Sequence, residues 1–379
     1  MNILADENIP YVAEAFEGLG SVTRIHGRAI TPDTLADTDL LLVRSITKVN
    51  EALLAHSRVR FVATATAGID HIDTEYLKAA GVGFGYAPGS NANSVAEYVT
   101  AALLHLATKN AFELTGKSLG IVGHGHVGRL VAGKAAALGM QTVIHDPPLE
   151  RATGDALYRQ MEEIVGCDVV TFHVPLTREG GDATYHLVDD AFLKRLKPGT
   201  ILFNSARGPV ADGVAVGNAL DSGHLSACVL DVWEGEPEID LELLDRVDIA
   251  TPHIAGYSFD GKVLGTRMIY TAACEFLRLE ATWDPAPLLP APECPEVDLD
   301  AQEENALYRT VQQVYDIMGD DKRMREVVNA PEAERGPFFD ALRKKYPRRR
   351  EFGLTTVRLE NEAPALTEQI KGLGFRTDT

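Results

Sequence analysis

The segment LGIVGHGHVG at 119–128 constrains the fold most, because three glycines stand in G-x-G-x-x-G spacing between an apolar run and a helical pattern. Gly123 permits a tight strand-to-helix turn, Gly125 lets a ligand approach the backbone, and Gly128 lets the helix pack on the strand. The first N–H groups of such a helix can bind a pyrophosphate. The same letters also occur in loops that bind nothing, so the flanking sequence decides whether a dinucleotide pocket is predicted.

The residues after the glycines support that pocket. A helical pattern ends at Gly139, and the next apolar run, 141–145, finishes in Asp146. A carboxylate at this distance can accept hydrogen bonds from the adenine-ribose hydroxyls and would repel the 2′-phosphate of NADP. We therefore expect NAD as the cofactor. Two alternatives stay open: Asp146 is only a turn residue before Pro147, or the nearby Arg151 admits NADP. The apolar positions of the helix are Val127, Leu130, Val131, Ala135 and Leu138.

The totals exclude several classes of protein. A chain of 379 residues is long enough for two or three domains with their own cores. Its net charge of −19 argues against binding to nucleic acid or to an anionic membrane. The N-terminus has no signal-peptide pattern and no apolar run reaches membrane-spanning length, so we expect a cytoplasmic protein. The four cysteines show no metal-binding or C-x-x-C spacing, so neither a disulfide nor a metal site is expected.

Alternating apolar runs and helical patterns predict an α/β protein with two doubly wound parallel sheets of Rossmann or flavodoxin type. A long helix at 94–106, with Ser94 as its N-cap, should connect them. Clustered prolines after Trp283 indicate an extended linker to a small C-terminal α+β domain, where Leu307, Val311, Val314 and Met318 form one helical stripe. The predicted strands are 2–5, 22–25, 40–43, 59–64, 141–145, 169–172, 200–203, 226–230 and 248–250.

Three further segments follow predicted strands and carry side chains suited to oxidising a 2-hydroxy acid. They are FNSARGP with Arg207, LDVWEGEPE with Glu236 and TPHIAGYS with His253. Because ligands bind at the carboxyl ends of strands in open α/β sheets, these side chains should converge near the nicotinamide. The arginine would grip a carboxylate, the histidine would take the hydroxyl proton, and the glutamate would orient the imidazole. Each residue alone has a simpler explanation: Arg207 as an exposed turn residue, Glu236 as a solvated acid and His253 as a core histidine.

In this order behind the glycine loop, these segments resemble the D-isomer-specific 2-hydroxyacid dehydrogenases, from about residue 40 to about residue 275. VVTFHVPLT at 169–177 and ALDSGHLSACVLDVWEGEPE at 219–238 add to the resemblance. It implies a substrate-binding domain (1–95 and 257–283), an NAD-binding domain (96–256) and a C-terminal dimerisation domain (284–379). The cofactor contacts that it implies are Gly123, Gly125, His126, Val127, Gly128, Asp146, His173, Val174, Pro175, Ser205, Ala206, Arg207, Asp231 and Gly256. Asp231 could instead tie down a loop.

Finer motifs resemble one branch of this family, whose substrate is a small phosphorylated 2-hydroxy acid and whose C-terminal domain forms a homodimer. They are AGIDHID at 67–73, PHIAGYSFDGKVLGT at 252–266 and FFDALRKKYPRRREF at 338–352. By analogy, Ser45 and Thr66 bind substrate from the N-terminal domain, and Tyr257 does so from the other side. Two alternatives stay open: a 3-phosphoglycerate dehydrogenase or other relative with a 2-hydroxy acid substrate, and a dinucleotide-sensing binding protein without turnover.

A phosphorylated substrate needs cations in this acidic chain. Arg44 and Ser45 stand at the end of the predicted strand 40–43 and form one candidate phosphate site. The second candidate is a basic run, in which Arg348 and Arg349 are expected to affect the KM of a phosphorylated substrate, in this chain or a dimer partner. A solvated helix face or a dimer salt-bridge network would explain the same run. Its members are Arg343, Lys344, Lys345, Arg348, Arg349 and Arg350. His124 and His126, in the glycine loop, are expected to do no chemistry.

Overall fold

The computed structural model describes residues 1–378. These residues form two units, each built from two stretches of the chain. The first unit combines Met1–Asn91 with Ser258–Ala291, and the second combines Ala92–Tyr257 with the chain from Pro292 onward. The finer division into three domains stays a prediction.

The elements follow one another in βα alternation. The first unit begins with β1 (Asn2–Asp6), α1 (Val12–Phe16), β2 (Ser21–Ile25), β3 (Leu40–Val43), α2 (Glu51–Leu54), β4 (Phe61–Thr64), α3 (Thr74–Ala79) and β5 (Gly83–Tyr86). The second unit follows with α4 (Ala92–Lys109), β6 (Ser118–Val122), α5 (His126–Ala137), β7 (Gln141–His145), α6 (Pro147–Thr153), α7 (Met161–Ile164), β8 (Val169–Phe172), α8 (Asp190–Arg195), β9 (Thr200–Asn204), α9 (Gly213–Asp221), β10 (Leu225–Leu230), α10 (Leu241–Arg246) and β11 (Ile249–Ala250). The chain returns to the first unit as α11 (Phe259–Leu277). The remaining elements belong again to the second unit. They are β12 (Glu296–Leu299), α12 (Ala306–Val314), α13 (Ile317–Arg325), α14 (Glu332–Lys344), β13 (Thr356–Leu359), α15 (Pro364–Gly372) and β14 (Arg376–Thr377).

The first unit is built on a five-stranded parallel sheet in the order β2-β1-β3-β4-β5. This is the flavodoxin-like order, in which ligands bind at the switch point between β1 and β3. All four residues of β3 are buried, because both faces of the sheet are covered. One face packs against α1 and α11 and the other against α2 and α3. The predicted α/β class is confirmed here.

The second unit holds a six-stranded parallel sheet in the order β11-β10-β9-β8-β6-β7. A single parallel bridge between Ile144 and Tyr158 extends the sheet beyond β7. The chain therefore runs outward from β6 to β7, then crosses to β8 on the other side of β6. The carboxyl ends of β6 and β8 flank this switch point, where Rossmann-type sheets bind dinucleotides.

The C-terminal part of the second unit contains a three-stranded parallel sheet, β12-β13-β14, which α12 and α15 contact, while α13 contacts β11 and α4. Leu299, Val311 and Phe352 belong to the same apolar core as residues of α4 and α5. The predicted single helical stripe is wrong in one respect, because it is divided between α12 and α13. The break lies at Tyr315 and Asp316, where the Asp316 carboxylate caps α13 by accepting from the Gly319 N–H at 3.1 Å.

The predicted N-cap role of Ser94 is wrong. Helix α4 begins at Ala92, and Ser94 is fully buried inside it. Its hydroxyl donates a 3.0 Å hydrogen bond to the Ala255 carbonyl, so a tertiary contact replaces the capping bond. None of the described helices combines the length and the apolar character needed to cross a bilayer. All four cysteines are free thiols.

Candidate active site

The three glycines between β6 and α5 meet three different requirements. Gly123 has φ +95°, and a Cβ there would lie 2.5 Å from the His173 carbonyl oxygen. A Cβ on Gly128 would overlap the carbonyl oxygen of Gly123. At Gly125, by contrast, a Cβ would meet no protein atom within 4 Å. The first and third glycines are therefore needed by the fold, and the second leaves open space beside the backbone.

This open space lies at the N-terminus of a helix of 12 residues, α5. Gly125 is its N-cap and contributes no side-chain hydrogen bond, so no cap occupies the first N–H groups. In the first turn, His126 is exposed and Val127 is partly buried. Free N–H groups beside an open glycine suit a pyrophosphate. The residues present therefore fit a dinucleotide.

Asp146 ends β7 and binds backbone on two sides. One carboxylate oxygen accepts from the His124 N–H at 2.8 Å, and the other accepts from the Leu149 N–H at 3.0 Å, which caps α6. Each oxygen keeps a further lone pair for a ribose hydroxyl. Arg151, which left NADP open, forms an ion pair with Asp182. The structure thus pairs the cation that a 2′-phosphate would need with another acid.

His124, in the glycine loop, is buried, and His173, whose backbone lies against that loop, is half-buried with its Nδ1 shielded from solvent. Burial, with a smaller contribution from Arg129, holds the pKa of His124 below its usual value. Burial lowers the pKa of His173 to about 3, so its imidazole is neutral. Its Nε2 lies 3.0 Å from the Thr171 hydroxyl. His173, Val174 and Pro175 follow β8. The His173 carbonyl and the Val174 side chain lie against Gly123, in the turn after β6.

Arg207 follows β9 in a loop that is held by a residue that the sequence analysis did not single out. The Asn204 side chain donates to the Arg207 carbonyl at 3.0 Å and accepts from the Ala206 N–H at 3.1 Å. Arg207 Nη1 donates to the Ala206 carbonyl at 2.7 Å. A Cβ on Gly208 would overlap the Trp233 carbonyl, so this loop passes directly against the segment that carries Glu236. In the same loop, the Ser205 hydroxyl is buried and has no partner in the described residues.

Glu236 and His253 form a hydrogen-bonded pair. Glu236 Oε2 lies 2.8 Å from His253 Nδ1, and Glu236 Oε1 accepts from the Trp233 N–H at 2.7 Å. Burial alone would raise the pKa of Glu236, but the facing His253, the two hydrogen bonds and the charge of Arg343 outweigh it and lower that pKa. The carboxylate therefore stays ionised and directs Nδ1, which leaves Nε2 as the ring nitrogen for proton transfer.

Asp231 holds the loop that presents His253. Its carboxylate accepts from the Thr251 hydroxyl at 2.6 Å, the Ile254 N–H at 2.7 Å and the Ala255 N–H at 2.9 Å. His253 itself has φ +57°, and its N–H donates to the Asp231 carbonyl at 2.7 Å. This network stabilises a backbone conformation that an L-residue rarely adopts. Asp231 was considered either as a cofactor contact or as a residue that ties down a loop, and these contacts favour the second role. The tied segment ends at Ala255, one residue before Gly256.

Three of the predicted substrate-binding residues lie in the first unit, at the carboxyl ends of adjacent strands. Arg44 and Ser45 follow β3, and Thr66 follows β4. Ser45 is exposed, whereas Arg44 and Thr66 are half-buried. The Thr66 hydroxyl donates to the Gly68 carbonyl at 2.8 Å and lies 2.7 Å from the Thr64 hydroxyl. The position next to the β1/β3 switch point suits a ligand of this sheet.

The fourth predicted substrate residue, Tyr257, lies in the second unit and contacts the first member of the basic run. The members of that run have different environments, because some are exposed and others are buried. Arg343 donates to the Tyr257 hydroxyl at 2.9 Å. The substrate role expected for Arg349 is wrong, because Arg349 is only 7% exposed and donates to the Ser94 and Ala255 carbonyls at 3.1 and 2.9 Å. Its guanidinium also stacks 4.1 Å from the Tyr315 ring centroid. Arg349 is thus part of the core contact between the C-terminal region and α4.

Known proteins resemble this chain over nearly its whole length. The family described as D-isomer specific 2-hydroxyacid dehydrogenase, NAD binding domain, matches residues 94–255, and a domain of unknown function matches residues 288–374. The chain is 46% identical over 377 residues to the erythronate-4-phosphate dehydrogenase of Cronobacter sakazakii, covering 99% of this chain and 98% of that protein.

Solved structures share the fold. A D-lactate dehydrogenase from Aquifex aeolicus, complexed with NAD and lactic acid, has a TM-score of 0.61 and 27% identity, covering 73% of this chain and 96% of that one. An NAD⁺-bound 3-phosphoglycerate dehydrogenase of Entamoeba histolytica has a TM-score of 0.63 and 25% identity, covering 73% and 95% of the two chains. With the glycine loop and the Glu236–His253 pair in place, the chain belongs to the erythronate-4-phosphate dehydrogenases, within the D-isomer-specific 2-hydroxyacid dehydrogenase family, and carries that family's NAD-binding domain.

Proposed function

We propose that the protein oxidises 4-phospho-D-erythronate at its 2-hydroxyl, with NAD, to (R)-3-hydroxy-2-oxo-4-phosphooxybutanoate, a step in pyridoxal 5′-phosphate biosynthesis. The observation that carries the proposal is the Glu236–His253 pair at 2.8 Å, beside the loop of Arg207 in a chain of this family. The near full-length similarity, including the C-terminal region, favours the phosphoerythronate branch over a 3-phosphoglycerate dehydrogenase.

The reaction removes a hydride from C2 of the hydroxy acid and a proton from its hydroxyl. When bound, NAD supplies the hydride acceptor. The Arg207 guanidinium binds the substrate carboxylate and polarises the reacting oxygen. His253 Nε2 takes the hydroxyl proton, while the ionised Glu236 stabilises the imidazolium that forms. Asp231 and Asn204 orient the loops that carry these side chains.

The substrate and cofactor contacts complete the proposal. The residues proposed to contact the substrate are Arg44, Ser45, Thr66 and Tyr257. The cofactor would contact the glycine loop, Asp146, the 173–175 segment, the 205–207 segment and Gly256. We further propose a cytoplasmic homodimer that associates through the C-terminal region. Sedimentation of the purified protein should give twice the chain mass of 41.1 kDa, and a monomer at micromolar concentration would contradict the dimer.

The deciding experiment is NAD reduction by the purified protein with 4-phospho-D-erythronate or 3-phospho-D-glycerate as substrate. Each assay is run with and without 2-oxoglutarate, because reduced cofactor can be retained and need a 2-oxo acid for reoxidation. Preferred turnover of phosphoerythronate supports the proposal. Preference for phosphoglycerate assigns the other branch, and NAD binding without turnover of either substrate favours the dinucleotide-sensing alternative.

A further inference from the structure

Helix α14, in the C-terminal region, packs against the segment that carries Glu236. A Cβ on Gly336 would lie 2.5 Å from Glu238 Oε1 and 3.3 Å from Pro237 Cγ, so only a glycine permits this approach without a shift. Phe339, one turn further, is fully buried in the same apolar cluster as Trp233 and Ile239. The helix therefore supports the catalytic segment by direct packing.

Arg343 follows one turn after Phe339 on α14 and contacts Tyr257. Its Nη2 donates to the Tyr257 hydroxyl at 2.9 Å, and its guanidinium carbon lies 5.6 Å from the centroid of that ring. The Arg343 Nε is buried and has no partner within the described part of the chain. A largely buried guanidinium is costly unless anionic or polar groups face it. The Tyr257 hydroxyl and the Glu236 carboxylate are such groups.

The electrostatic effects of Arg343 and Glu236 on each other are reciprocal. Arg343 contributes to the lowered pKa of Glu236, after the larger contribution of His253. Burial would lower the pKa of Arg343, but Tyr257 and Glu236 outweigh this effect, together with Asp340 of the same helix α14, so the pKa is raised overall. A further titratable group near His253 is Asp231, whose pKa is raised by burial. Arg343 thus acts electrostatically on Glu236 from outside the dehydrogenase domain match at 94–255.

We propose that Arg343 is a positioning residue of the dehydrogenase reaction: it orients Tyr257 toward substrate and places a positive charge near the Glu236–His253 pair. The inference rests on the proposed function and assigns a role to the C-terminal segment that matches a domain of unknown function. Its two effects are separable, since one depends on the planar hydrogen-bonding fork and the other only on charge.

Arg343→Met, Arg343→Lys and the charge-matched control Lys322→Met test the proposal. Lys322 is exposed on the neighbouring helix α13. In Arg343→Met, we expect the kcat/KM for the hydroxy acid to fall about 10-fold to 100-fold, the usual effect of leaving a buried polar group without its partner, with the affinity for NAD unchanged. The acidic limb of the pH profile of kcat/KM should move to higher pH, because Glu236 loses a nearby cation. Arg343→Lys should restore the pH profile but not the KM, and Lys322→Met should change neither.

A merely structural role for Arg343 would lower the melting temperature of both Arg343 variants without moving the pH profile or the KM, and that result would overturn the proposal. A second readout needs no substrate. In protein with ¹⁵N-labelled histidine, the Nδ1 resonance of His253 reports protonation of Glu236, and its acidic transition should shift upward in Arg343→Met relative to Lys322→Met. If the wild-type protein fails to oxidise phosphoerythronate, the proposed function fails, while an unshifted His253 transition would by itself overturn the role of Arg343.

Discussion

His253 is the residue on which the proposed chemistry depends most directly. Its Nδ1 is held by Glu236, so only Nε2 can accept the substrate proton. We expect His253→Ala to lower kcat by about 10²-fold to 10⁴-fold, the usual contribution of a general base. Affinity for NADH, measured by fluorescence titration, should stay within about two-fold, because His253 lies outside the glycine loop. Turnover near the wild-type rate would exclude His253 as the base.

Asp146 carries a second prediction at the residue scale. Asp146→Ala removes the acceptors for the ribose hydroxyls and the cap of α6, so we expect the Kd for NAD to rise about 10-fold or more, with weaker discrimination against NADP. Loss of the cap alone costs about 1 kcal/mol. Asp189→Ala is the matched control, because Asp189 caps α8 through the Phe192 N–H at 2.7 Å. Equal effects of the two variants on NAD affinity would assign Asp146 a structural role only.

At the scale of elements, the strand-to-helix turn after β6 separates two uses of glycine. Gly128→Ala forces a Cβ onto the Gly123 carbonyl, so we expect loss of both stability and cofactor binding. Gly125→Ala meets no protein atom within 4 Å and has φ −74°, so the fold should tolerate it. Its methyl group would occupy the space for a pyrophosphate and raise the Kd for NAD.

Gly133→Ala is the control for this pair, because Gly133 lies inside α5 and a Cβ there meets nothing within 4 Å. It should raise stability by about 0.5–1 kcal/mol without changing NAD affinity. Thermal unfolding and isothermal titration of NAD measure both quantities. If Gly125→Ala binds NAD like Gly133→Ala, the pyrophosphate does not lie against this turn.

The strands were predictable because parallel strands covered on both faces are continuous apolar runs, as in β3 and β8, whose residues are all buried. The positions of Arg207, Glu236 and His253 were predictable because each of them follows such a run, while their catalytic roles stay a prediction. The positions of Arg343 and Arg349 were not, since their partners are distant in sequence and a basic run is more often a solvated face. Asn204 was missed although its partners, Ala206 and Arg207, lie only two and three residues away. Ser94 had the composition of a cap but lies inside α4, where tertiary contacts use its hydroxyl.

At the scale of the whole molecule, the C-terminal region is attached to α4 and α5 through a buried polar cluster. The Glu97 carboxylate accepts from the Phe352 N–H at 2.8 Å and from the Asn93 side chain at 3.0 Å. Asn93 also donates to Glu351 at 2.7 Å. Lys134 Nζ donates to the Leu373 carbonyl at 2.5 Å. Two carboxylates bridged by one amide make this attachment sensitive to protonation.

Glu97 gives that sensitivity a direction. Burial, and then the charge of Glu351, raise its pKa to about 8 from an ordinary value of 4.5, although Lys134 and Arg349 oppose the shift. Below pH 4.5 the folded and unfolded chains both hold this proton, so the ionisation of Glu97 takes nothing from the free energy of unfolding there. As the pH rises to about 8 the unfolded chain releases the proton first, so the free energy of unfolding falls, by the order of a few kcal/mol.

Glu97→Gln keeps a neutral side chain at every pH and retains an oxygen that can accept from Phe352 and Asn93. We therefore expect its free energy of unfolding, from urea denaturation, to match the wild-type value near pH 5 and to exceed it increasingly up to about pH 8. Glu113→Gln is the control, because Glu113 is exposed just beyond α4, and it should follow the wild-type curve. A constant difference between Glu97→Gln and wild type across this range would mean that Glu97 is already ionised when the C-terminal region is docked, with Lys134 and Arg349 offsetting its burial.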